Sequence, residues 1–475
     1  MATRPNIVFI LTDQQRYDTI AGLGFPYMET PNLDRLIQEG CHFTDCHVTA
    51  PSCAPSRASL FTGYYPHTTG ILQNADTWTH GWVEDLAASG YHCTNIGKMH
   101  TWPFEAPCGF HERHIVENKD RFLEGGEYQD EWDKYLLRNG HKKQKRVEYR
   151  KRLDYKDRMG AFTWDLPPET HSDYYVGDRA VEWIQKYKEE KPFFLQVGFP
   201  GPHPPYDPLP GHLDRYKDKD IPLQPVHKHD MENQPESYKG MRLHNAGFDH
   251  DSVVHLLEPT ESQRRDQREH YLANVTMIDD KVGEIIGALE SAGKLDNTLI
   301  FFSSDHGDCL SDHGHSQKWT MYDTVTKVPL IVWAPGKVEA GAKCEAQVQL
   351  MDVGPTILEY AGVAIPETFQ ARSFGPALAG QPFEGRDYVF AEQVRDKNYT
   401  EGQYQTMVRT KEWKLVHFLD EPYGQLFDLR SDPDEFDNLW HNPEHRDTRD
   451  HLLGVIRDWH IRGTIHTSNR TEHWR

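Results

Sequence analysis

The chain has 475 residues and a formal net charge of −21, because its 73 Asp and Glu outnumber its 52 Lys and Arg. A chain of this length can bury a large core and predicts more than one domain. Its 37% hydrophobic and 12% aromatic residues exclude a disordered protein. The acidic charge and the lack of any long apolar run predict no nucleic-acid and no membrane partner, and an anionic substrate would need a locally basic pocket.

The first residues enter a strand-like run at 6–12 almost at once, without the apolar region and cleavage site of a signal peptide. We therefore expect a cytoplasmic protein. A secreted or periplasmic protein whose signal peptide has been removed is the alternative. The seven cysteines show no Cys-x-x-Cys spacing, which predicts thiols and not a zinc site or a disulfide framework.

Apolar runs that end in polar residues alternate with helical patterns along most of the chain. The main strand-like and helical patterns lie, in chain order, at 6–12, 30–40, 192–198, 261–292, 298–304 and 328–333. Strands that are apolar on both faces and alternate with helices predict an α/β fold, with a large, mostly parallel central sheet sandwiched between helices.

Two polar regions and a change of pattern near residue 380 predict the domain organisation. Residues 1–380 are expected to form the main α/β domain, with insertions at about 105–180 and 205–258. The first insertion is where we would expect a lid or a contact in a homo-oligomer. The short alternating segments that follow predict a C-terminal subdomain at 381–475, built from a small antiparallel sheet and a helix at about 445–461.

Polar side chains follow several of these strand patterns, where the reactive groups of such sheets collect. Asp13 and Gln14 close the first strand, and Asp305 and His306 close a later one. Each pair offers oxygen or nitrogen donors that suit one divalent cation. The alternative for each pair is an ordinary turn or helix-capping aspartate.

Lys98 and His100 end another strand-like run. Residues two apart in an extended chain point the same way, so both could reach one bound anion. His203 lies in a proline-rich loop after the pattern at 192–198, where an incidental histidine is the alternative.

Lys318 ends the polar loop that follows Asp305 and His306. The same loop contains His313 and His315, which we interpret as solvated loop histidines.

Residues 53–57 read Cys-Ala-Pro-Ser-Arg, which matches the C-x-P-S-R signature by which sulfatases have one cysteine oxidised to Cα-formylglycine. The other strand-end motifs occur in the order of the same family, together with the helix at 30–40 and the segments at 406–418 and 424–439. From residue 6 to about residue 439 the chain therefore resembles a type I sulfatase of the alkaline phosphatase superfamily.

The resemblance implies hydrolysis of a sulfate ester with release of inorganic sulfate. Cys53 would be the formylglycine precursor, modified by a formylglycine-generating enzyme, and its hydrate would bind a divalent metal ion together with Asp13, Gln14, Asp305 and His306. Many sulfatases have Asp and Asn where this chain has Gln14 and His306. Calcium is the first expectation, and manganese, magnesium and zinc stay open because an imidazole suits transition metals.

The resemblance also implies roles for the cationic residues. Arg57 would hold the hydrate and offset negative charge, and Lys98 and Lys318 would stabilise the sulfuryl oxygens. Lys318, or His203 with it, would protonate the leaving group. His100 would deprotonate the remaining hydroxyl and so expel sulfate.

Two other functions compete with this one. Phosphonate monoester hydrolases and phosphodiesterases of the superfamily are similar in the Asp-Gln pair, the Asp-His-Gly loop and a Gln-Asn like Gln73-Asn74. They usually lack Lys and His at the positions of Lys98 and His100, which favours the sulfatase. Asn74 would contact the substrate in either enzyme or only cap a turn. A non-catalytic binder of sulfated ligands would need neither Cys53 nor His100. The predicted partner is a small-molecule or carbohydrate sulfate ester, and no motif identifies it further.

Overall fold

The computed structural model describes residues 4–121 and 128–465. Residues 122–127 of the predicted first insertion and 466–475 of the predicted C-terminal subdomain lie outside the described residues. The strands are β1 (Asn6–Asp13), β2 (Cys41–His47), β3 (His92–Gly97), β4 (Glu112–Ile115), β5 (Phe193–Pro202), β6 (Thr298–Ser304), β7 (Lys327–Trp333), β8 (Ala342–Cys344), β9 (Val348–Gln349), β10 (Val389–Val394), β11 (Tyr404–Arg409), β12 (Trp413–Phe418) and β13 (Gln425–Asp428).

The α-helices are α1 (Pro31–Glu39), α2 (Cys53–Thr62), α3 (Pro66–Thr69), α4 (Val83–Ala88), α5 (Glu131–Arg138), α6 (Arg146–Tyr149), α7 (Ser172–Lys186), α8 (Pro210–Leu213), α9 (Lys228–Glu232), α10 (Glu236–Gly247), α11 (Glu261–Ser291), α12 (Asp323–Thr326), α13 (Val353–Tyr360), α14 (Gly375–Leu378) and α15 (Arg446–Ile465). None of the helices in the described ranges is long and apolar enough to cross a membrane.

The central sheet has the strand order β4-β3-β5-β1-β6-β7-β2-β8, and β9 pairs with β2, which makes nine strands among the described residues. In this sheet only β7, again counting described strands, runs antiparallel to its neighbours. The sheet separates two apolar layers: Ile7, Phe9 and Leu11 of β1 face one, and Val8 and Ile10 face the other. The predicted α/β fold with a mostly parallel, sandwiched sheet is confirmed.

Helices cover both faces of this sheet. Helices α1, α7 and α11 pack on the face of Val8, and α2, α4 and α13 pack on the face of Phe9. Helix α11 buries Ile278, Val282 and Ile285 completely. Each such side chain contributes about 1.5–3 kcal/mol. That exceeds the spread of roughly 0.7 kcal/mol in helix propensity among ordinary residues, so packing determines where this helix lies.

The C-terminal region forms a second sheet, as predicted. In the described part of the chain it has four antiparallel strands in the order β10-β11-β12-β13. Helix α15 packs on it through Leu452, Ile456 and Trp459, in one apolar cluster with Val408 and Leu415. The division of the chain at residue 380 stays a prediction.

The predicted insertion at 105–180 is wrong at both ends. Strand β4 is the edge strand of the central sheet, paired with β3, and α7 is a core helix with Val176 and Ala180 fully buried. In β4 only Ile115 is buried, so the strand carries no apolar run that could reveal it in the sequence.

Two glycines allow β3 and β5 to meet closely just before Lys98. Gly97 pairs with Gly198 in register, and the main-chain N–H of Lys98 donates to the Gly198 carbonyl at 2.8 Å. A Cβ atom at Gly198 would overlap the carbonyl oxygen of Lys98. Glycine at this position therefore fixes the direction in which the chain leaves β3.

We predict that Gly198→Ala lowers the free energy of unfolding by about 1–3 kcal/mol, because one strand end must shift. The matched control is Gly287→Ala in α11, where a Cβ atom would meet nothing within 4 Å. This variant should gain up to about 1 kcal/mol from helix propensity. Guanidinium unfolding followed by tryptophan fluorescence measures both. Equal stabilities of the two variants would contradict the prediction.

Candidate active site

The carboxyl ends of adjacent parallel strands bring the predicted polar residues to one edge of the central sheet. Asp13 is the last residue of β1, and Asp305 follows β6, where its main-chain N–H donates to the Thr12 carbonyl at 3.2 Å. Lys98 follows β3 and His203 follows β5. Strand order alone therefore places four side chains, distant in sequence, beside one another.

The first turn of α2 brings Cys53 to the same edge. The ligand atoms of Asp13, Cys53, Asp305 and His306 all lie within 4.8 Å of one another, and all four residues are buried. Cys53 Sγ is 3.1 Å from His306 Nε2 and 3.7 Å from Asp13 Oδ1. His306 Nδ1 is 2.9 Å from the Gly307 carbonyl, which directs Nε2 towards the cluster.

Arg57, one turn after Cys53 in α2, connects the two carboxylates. Its Nε donates to Asp305 Oδ2 at 2.7 Å and an Nη donates to Asp13 Oδ2 at 3.3 Å. The other oxygen of each carboxylate lies 3.7 Å from a cluster atom: Asp13 Oδ1 from Cys53 Sγ, and Asp305 Oδ1 from His306 Nε2. Arg57 thus orients both aspartates towards one point.

These donors fit a divalent metal ion. Two buried carboxylates supply the hard oxygen ligands that such cations prefer, and His306 adds an imidazole nitrogen. Burial raises the pKa of Asp13, but Lys98, His203 and Arg57 together lower it by a larger amount. The pKa of Asp13 therefore lies well below its usual value. Asp13 therefore stays ionised and able to bind a cation.

Gln14 lies beside the cluster in a left-handed backbone conformation, with φ of 69°. Its main-chain N–H donates to Asp305 Oδ1 at 3.0 Å, its Nε2 donates to Asp308 Oδ2 at 2.6 Å, and its Oε1 accepts from Lys318 Nζ at 2.8 Å. Asp308 also accepts from the Tyr206 hydroxyl at 2.7 Å. The sequence reasoning missed Asp308, although it lies three residues after Asp305. That Gln14 is a metal ligand stays a prediction.

Two lysines make the edge locally basic. Lys318 Nζ lies 2.9 Å from Cys53 Sγ, and Lys98 Nζ lies 2.5 Å from Asp13 Oδ2. Burial lowers the pKa of both lysines, but the adjacent anionic groups outweigh it and raise each pKa above its usual value. Both ammonium groups therefore stay charged, as an anionic substrate requires.

His100 reaches the site by a different route from the predicted one. Strand β3 ends at Gly97, and His100 has a left-handed backbone with φ of 64°, so the argument from an extended chain is wrong. Its main-chain N–H donates to both carboxylate oxygens of the buried Glu117, at 3.0 and 3.1 Å. Burial and the charge of Lys98 lower the pKa of His100 well below its usual value, which leaves a neutral base. Glu117 was missed because the strand before it, β4, was not recognised.

A cavity of about 540 Å³ opens above the cluster. Of the predicted residues it is lined by Cys53, Gln73, Asn74, Lys98, His100, His203 and Lys318. Asn74 Oδ1 accepts from the main-chain N–H of Ala54 at 3.1 Å and so caps the start of α2. The wall also contains polar residues that the sequence reasoning did not single out, among them Glu117, Asn118, Arg121, Arg146, Asp251, Asp396, Lys397 and Asn398.

Asp251, from the second predicted insertion, faces His203. His203 Nδ1 is 2.7 Å from the Pro204 carbonyl, and its Nε2 is 3.6 Å from Asp251 Oδ2. Arg121 and Arg146 hold the same aspartate at 2.8 and 3.3 Å. Burial and Lys318 lower the pKa of His203 well below its usual value, although Asp13 and Asp251 oppose this.

The interpretation of His313 and His315 as solvated is wrong, since each is 1% exposed. The His313 ring stacks on Tyr322 with centroids 3.7 Å apart, and its Nδ1 is 3.0 Å from Asp230. His315 Nε2 is 3.0 Å from the Gln234 side-chain oxygen. The polar segment around Asp230 and Gln234 folds over the loop, which the composition of the loop could not reveal.

Comparison with known proteins agrees with this arrangement. The sulfatase family model matches residues 5–363, and the model for the C-terminal region of N-sulphoglucosamine sulphohydrolase matches residues 311–460. The chain is 30% identical over 472 residues to an arylsulfatase from Clostridium perfringens, covering 95% of this chain and 94% of the relative. It is 25% identical over 521 residues to an N-acetylglucosamine-6-O-sulfatase from Bacteroides thetaiotaomicron, covering 96% and 86%.

Among solved structures, a phosphonate monoester hydrolase from Silicibacter pomeroyi is similar with a TM-score of 0.80 and 24% identity, covering 98% of this chain and 97% of the other. That likeness bears on the fold, which both enzyme types of the superfamily share. The family model spans most of the chain and includes Asp13, Cys53, Asp305 and His306, the active-site residues that could hold a metal ion. The chain therefore belongs to the sulfatase family of the alkaline phosphatase superfamily and is a sulfuric ester hydrolase.

Proposed function

We propose that this protein hydrolyses a small-molecule or carbohydrate sulfate ester with a formylglycine hydrate derived from Cys53 as nucleophile. The position of Cys53 carries the proposal. Its sulfur lies at the floor of the cavity, between His306 Nε2 at 3.1 Å and Lys318 Nζ at 2.9 Å. A nucleophile at this point is close to a donor set for a metal ion and to a charge that binds the sulfuryl group.

A divalent metal ion fits the donors Asp13, Asp305 and His306, with Gln14 as a further ligand. When bound, it would acidify the attacking hydroxyl and offset the charge of the sulfuryl group. Calcium is our first choice, and the nitrogen of His306 keeps manganese, magnesium and zinc as alternatives.

Residues of this chain account for the transfer of the sulfuryl group. Asp305 accepts the proton of the attacking hydroxyl as the new S–O bond forms. Lys98 and Lys318 stabilise the sulfuryl oxygens, on which charge increases. The S–O bond to the alcohol breaks, and its electron pair leaves on the alcohol oxygen, which takes a proton from Lys318, or from His203, whose pKa the negative charge of the bound ester would raise.

His100 accounts for the release of sulfate. As a neutral base beside the cavity, it accepts the proton of the second hydroxyl on the carbon of residue 53. The C=O bond then re-forms, the C–O bond to sulfate breaks, and the aldehyde is restored. A serine in place of residue 53 would carry no second hydroxyl and would need attack by water.

Phosphonate monoester hydrolysis is the second candidate. The Asp13-Gln14 pair, the Asp-His-Gly loop, the Gln73-Asn74 pair and the shared fold favour it. Lys98 and His100 in the cavity favour sulfate esters. Purified enzyme should therefore show a higher kcat/KM for an aryl sulfate than for an aryl phosphonate monoester with the same leaving group. The reverse order would make the phosphonate reaction the primary one.

We predict that Cys53→Ala abolishes turnover of the aryl sulfate. The parent protein, produced in a host that contains a formylglycine-generating enzyme, should give a modified peptide around residue 53. Its mass should correspond to a side chain of CHO in place of CH2SH. The control is Cys344→Ala, a partly exposed cysteine in β8 outside the cavity, which should keep full activity. An unmodified Cys53 in active protein would overturn the proposed nucleophile.

We predict that His100→Ala releases one equivalent of alcohol per enzyme and then stops, because the second hydroxyl keeps its proton. Rapid-mixing kinetics would show a burst without turnover, and intact-protein mass spectrometry would show sulfate retained on residue 53. His80→Ala removes an exposed histidine paired with Glu84 and should not alter the rate. A steady-state rate for His100→Ala equal to that of the parent would exclude the assigned role.

We predict that His203→Ala slows the hydrolysis of alkyl and phenyl sulfates more than that of aryl sulfates whose leaving groups are acidic. Acidic leaving groups depart without taking up a proton. The expected loss is about 10²–10⁴-fold for the poorest leaving group, the usual contribution of a general acid. The slope of log(kcat/KM) against leaving-group pKa measures this. An unchanged slope would assign the proton to Lys318 alone.

A further inference from the structure

A second group of metal-binding side chains lies away from the active-site cavity. His67 in α3, Glu392 in β10 and His460 in α15 have potential ligand atoms within 4.8 Å of one another. Helix α3 follows α2 directly, β10 is part of the C-terminal sheet, and α15 is the last described helix. The three residues lie together only because the C-terminal sheet and α15 fold back against α3.

Glu392 is the fixed centre of this group. It is 1% exposed, and one of its oxygens accepts from the main-chain N–H of His67 at 2.8 Å and lies 2.9 Å from His67 Nδ1. Its other oxygen accepts from the Tyr404 hydroxyl. Two of the three proposed ligands are thus held in place before any ion binds.

The charge of Glu392 has no permanent counter-charge. In the described part of the chain no Lys or Arg contacts it, and the groups around it are the two imidazoles and the Tyr404 hydroxyl. A buried carboxyl group keeps its negative charge only beside a positive one. A bound cation held by these three side chains would supply that charge.

His460 completes the donor set. Its ring lies 4.9 Å from the His67 ring and 4.6 Å from the Trp459 ring, measured between centroids. Among the described residues its ring nitrogens have no hydrogen-bond or ion-pair partner, and the residue is only partly buried. A nitrogen lone pair is therefore available beside Glu392, with access from solvent.

A glycine in α15 allows His460 to lie close to His67 and Glu392. Gly463, three residues after His460, packs on the His67 ring, and a Cβ atom there would overlap His67 Nε2. Any larger residue would push the helix, and His460 with it, away from His67 and Glu392.

Two imidazoles and one carboxylate, with water in the fourth position, form a donor set that zinc uses. Two donors on one tetrahedral zinc ion lie about 3.3 Å apart, and His67 Nδ1 and the Glu392 oxygen are already 2.9 Å apart. Calcium and magnesium prefer sites made of oxygen alone. We propose that His67, Glu392 and His460 bind a zinc ion that links α15 to α3 and the C-terminal sheet, with loss of the Nδ1 proton of His67 to solvent.

The test compares the parent with His460→Ala and His460→Asn. Each protein is stripped of metal with EDTA, dialysed, titrated with Zn²⁺ and desalted. Elemental mass spectrometry then gives the number of zinc ions bound per protein chain. The parent should hold one zinc equivalent more than either variant, whatever the active-site cluster binds. Zinc affinity at this site should fall at least about tenfold, and the zinc-dependent rise in Tm should fall with it.

The control is His451→Ala, on the same helix, whose ring contacts the Tyr388 hydroxyl at 3.3 Å and lies outside the cluster. It should bind zinc as the parent does. The Tm without zinc reports whether the His460 variants fold, and the near-isosteric asparagine covers the case in which alanine does not. Equal zinc content in the parent and a folded His460 variant would overturn the proposal and assign the counter-charge of Glu392 to a protonated imidazole.

Discussion

The buried ion group of Arg57, Asp13 and Asp305 is the interaction on which the active site depends. All three side chains are fully excluded from solvent, so neither carboxylate can stay charged without a partner. Arg57 joins them and also donates to the main-chain carbonyl of Lys98, which follows β3. Removal of one member of such a group costs about 3–5 kcal/mol. One guanidinium thus connects the ends of three strands to the helix that carries Cys53.

This arrangement concentrates positive charge in a strongly acidic protein. The net charge of −21 disfavours anions over most of the surface, yet Lys98 and Lys318 meet at the floor of one cavity. Asp13 offsets the charge of Lys98, and Asp13 and Asp251 act on Lys318, so both cations have acidic neighbours before substrate arrives. The incoming sulfuryl group would replace some of these contacts to Lys98 and Lys318. It would not meet ammonium groups that lack any anionic neighbour.

The upper wall of the cavity comes from segments outside the central sheet. Arg121 and Arg146 come from the first polar region, Asp251 from the second, and Asp396, Lys397 and Asn398 from the loop after β10. These segments lie outside the central sheet, and their side chains are not the ones that follow its strands. In the proposed mechanism the sheet edge would carry out the attack on sulfur, whereas the upper wall would contact the alcohol part of the ester. Substrate selection would therefore lie in the segments whose sequence is least regular.

The sequence by itself determined the α/β class, the main strands and the residues at their ends, because apolar periodicity and the polar residues after each strand are local signals. Asp13, Lys98, His203 and Asp305 were found in this way. Lys318 was found in the loop after Asp305, and Cys53 by its match to the C-x-P-S-R signature. Only the tertiary structure revealed Glu117, Asp251 and Asp308, the burial of His313 and His315, and the meeting of His67 with Glu392 and His460. The physical reason is that the edge strand β4 is mostly polar, with only Ile115 buried, and that covering segments bury polar residues through contacts between distant parts of the chain. Such contacts leave no local periodicity in the sequence.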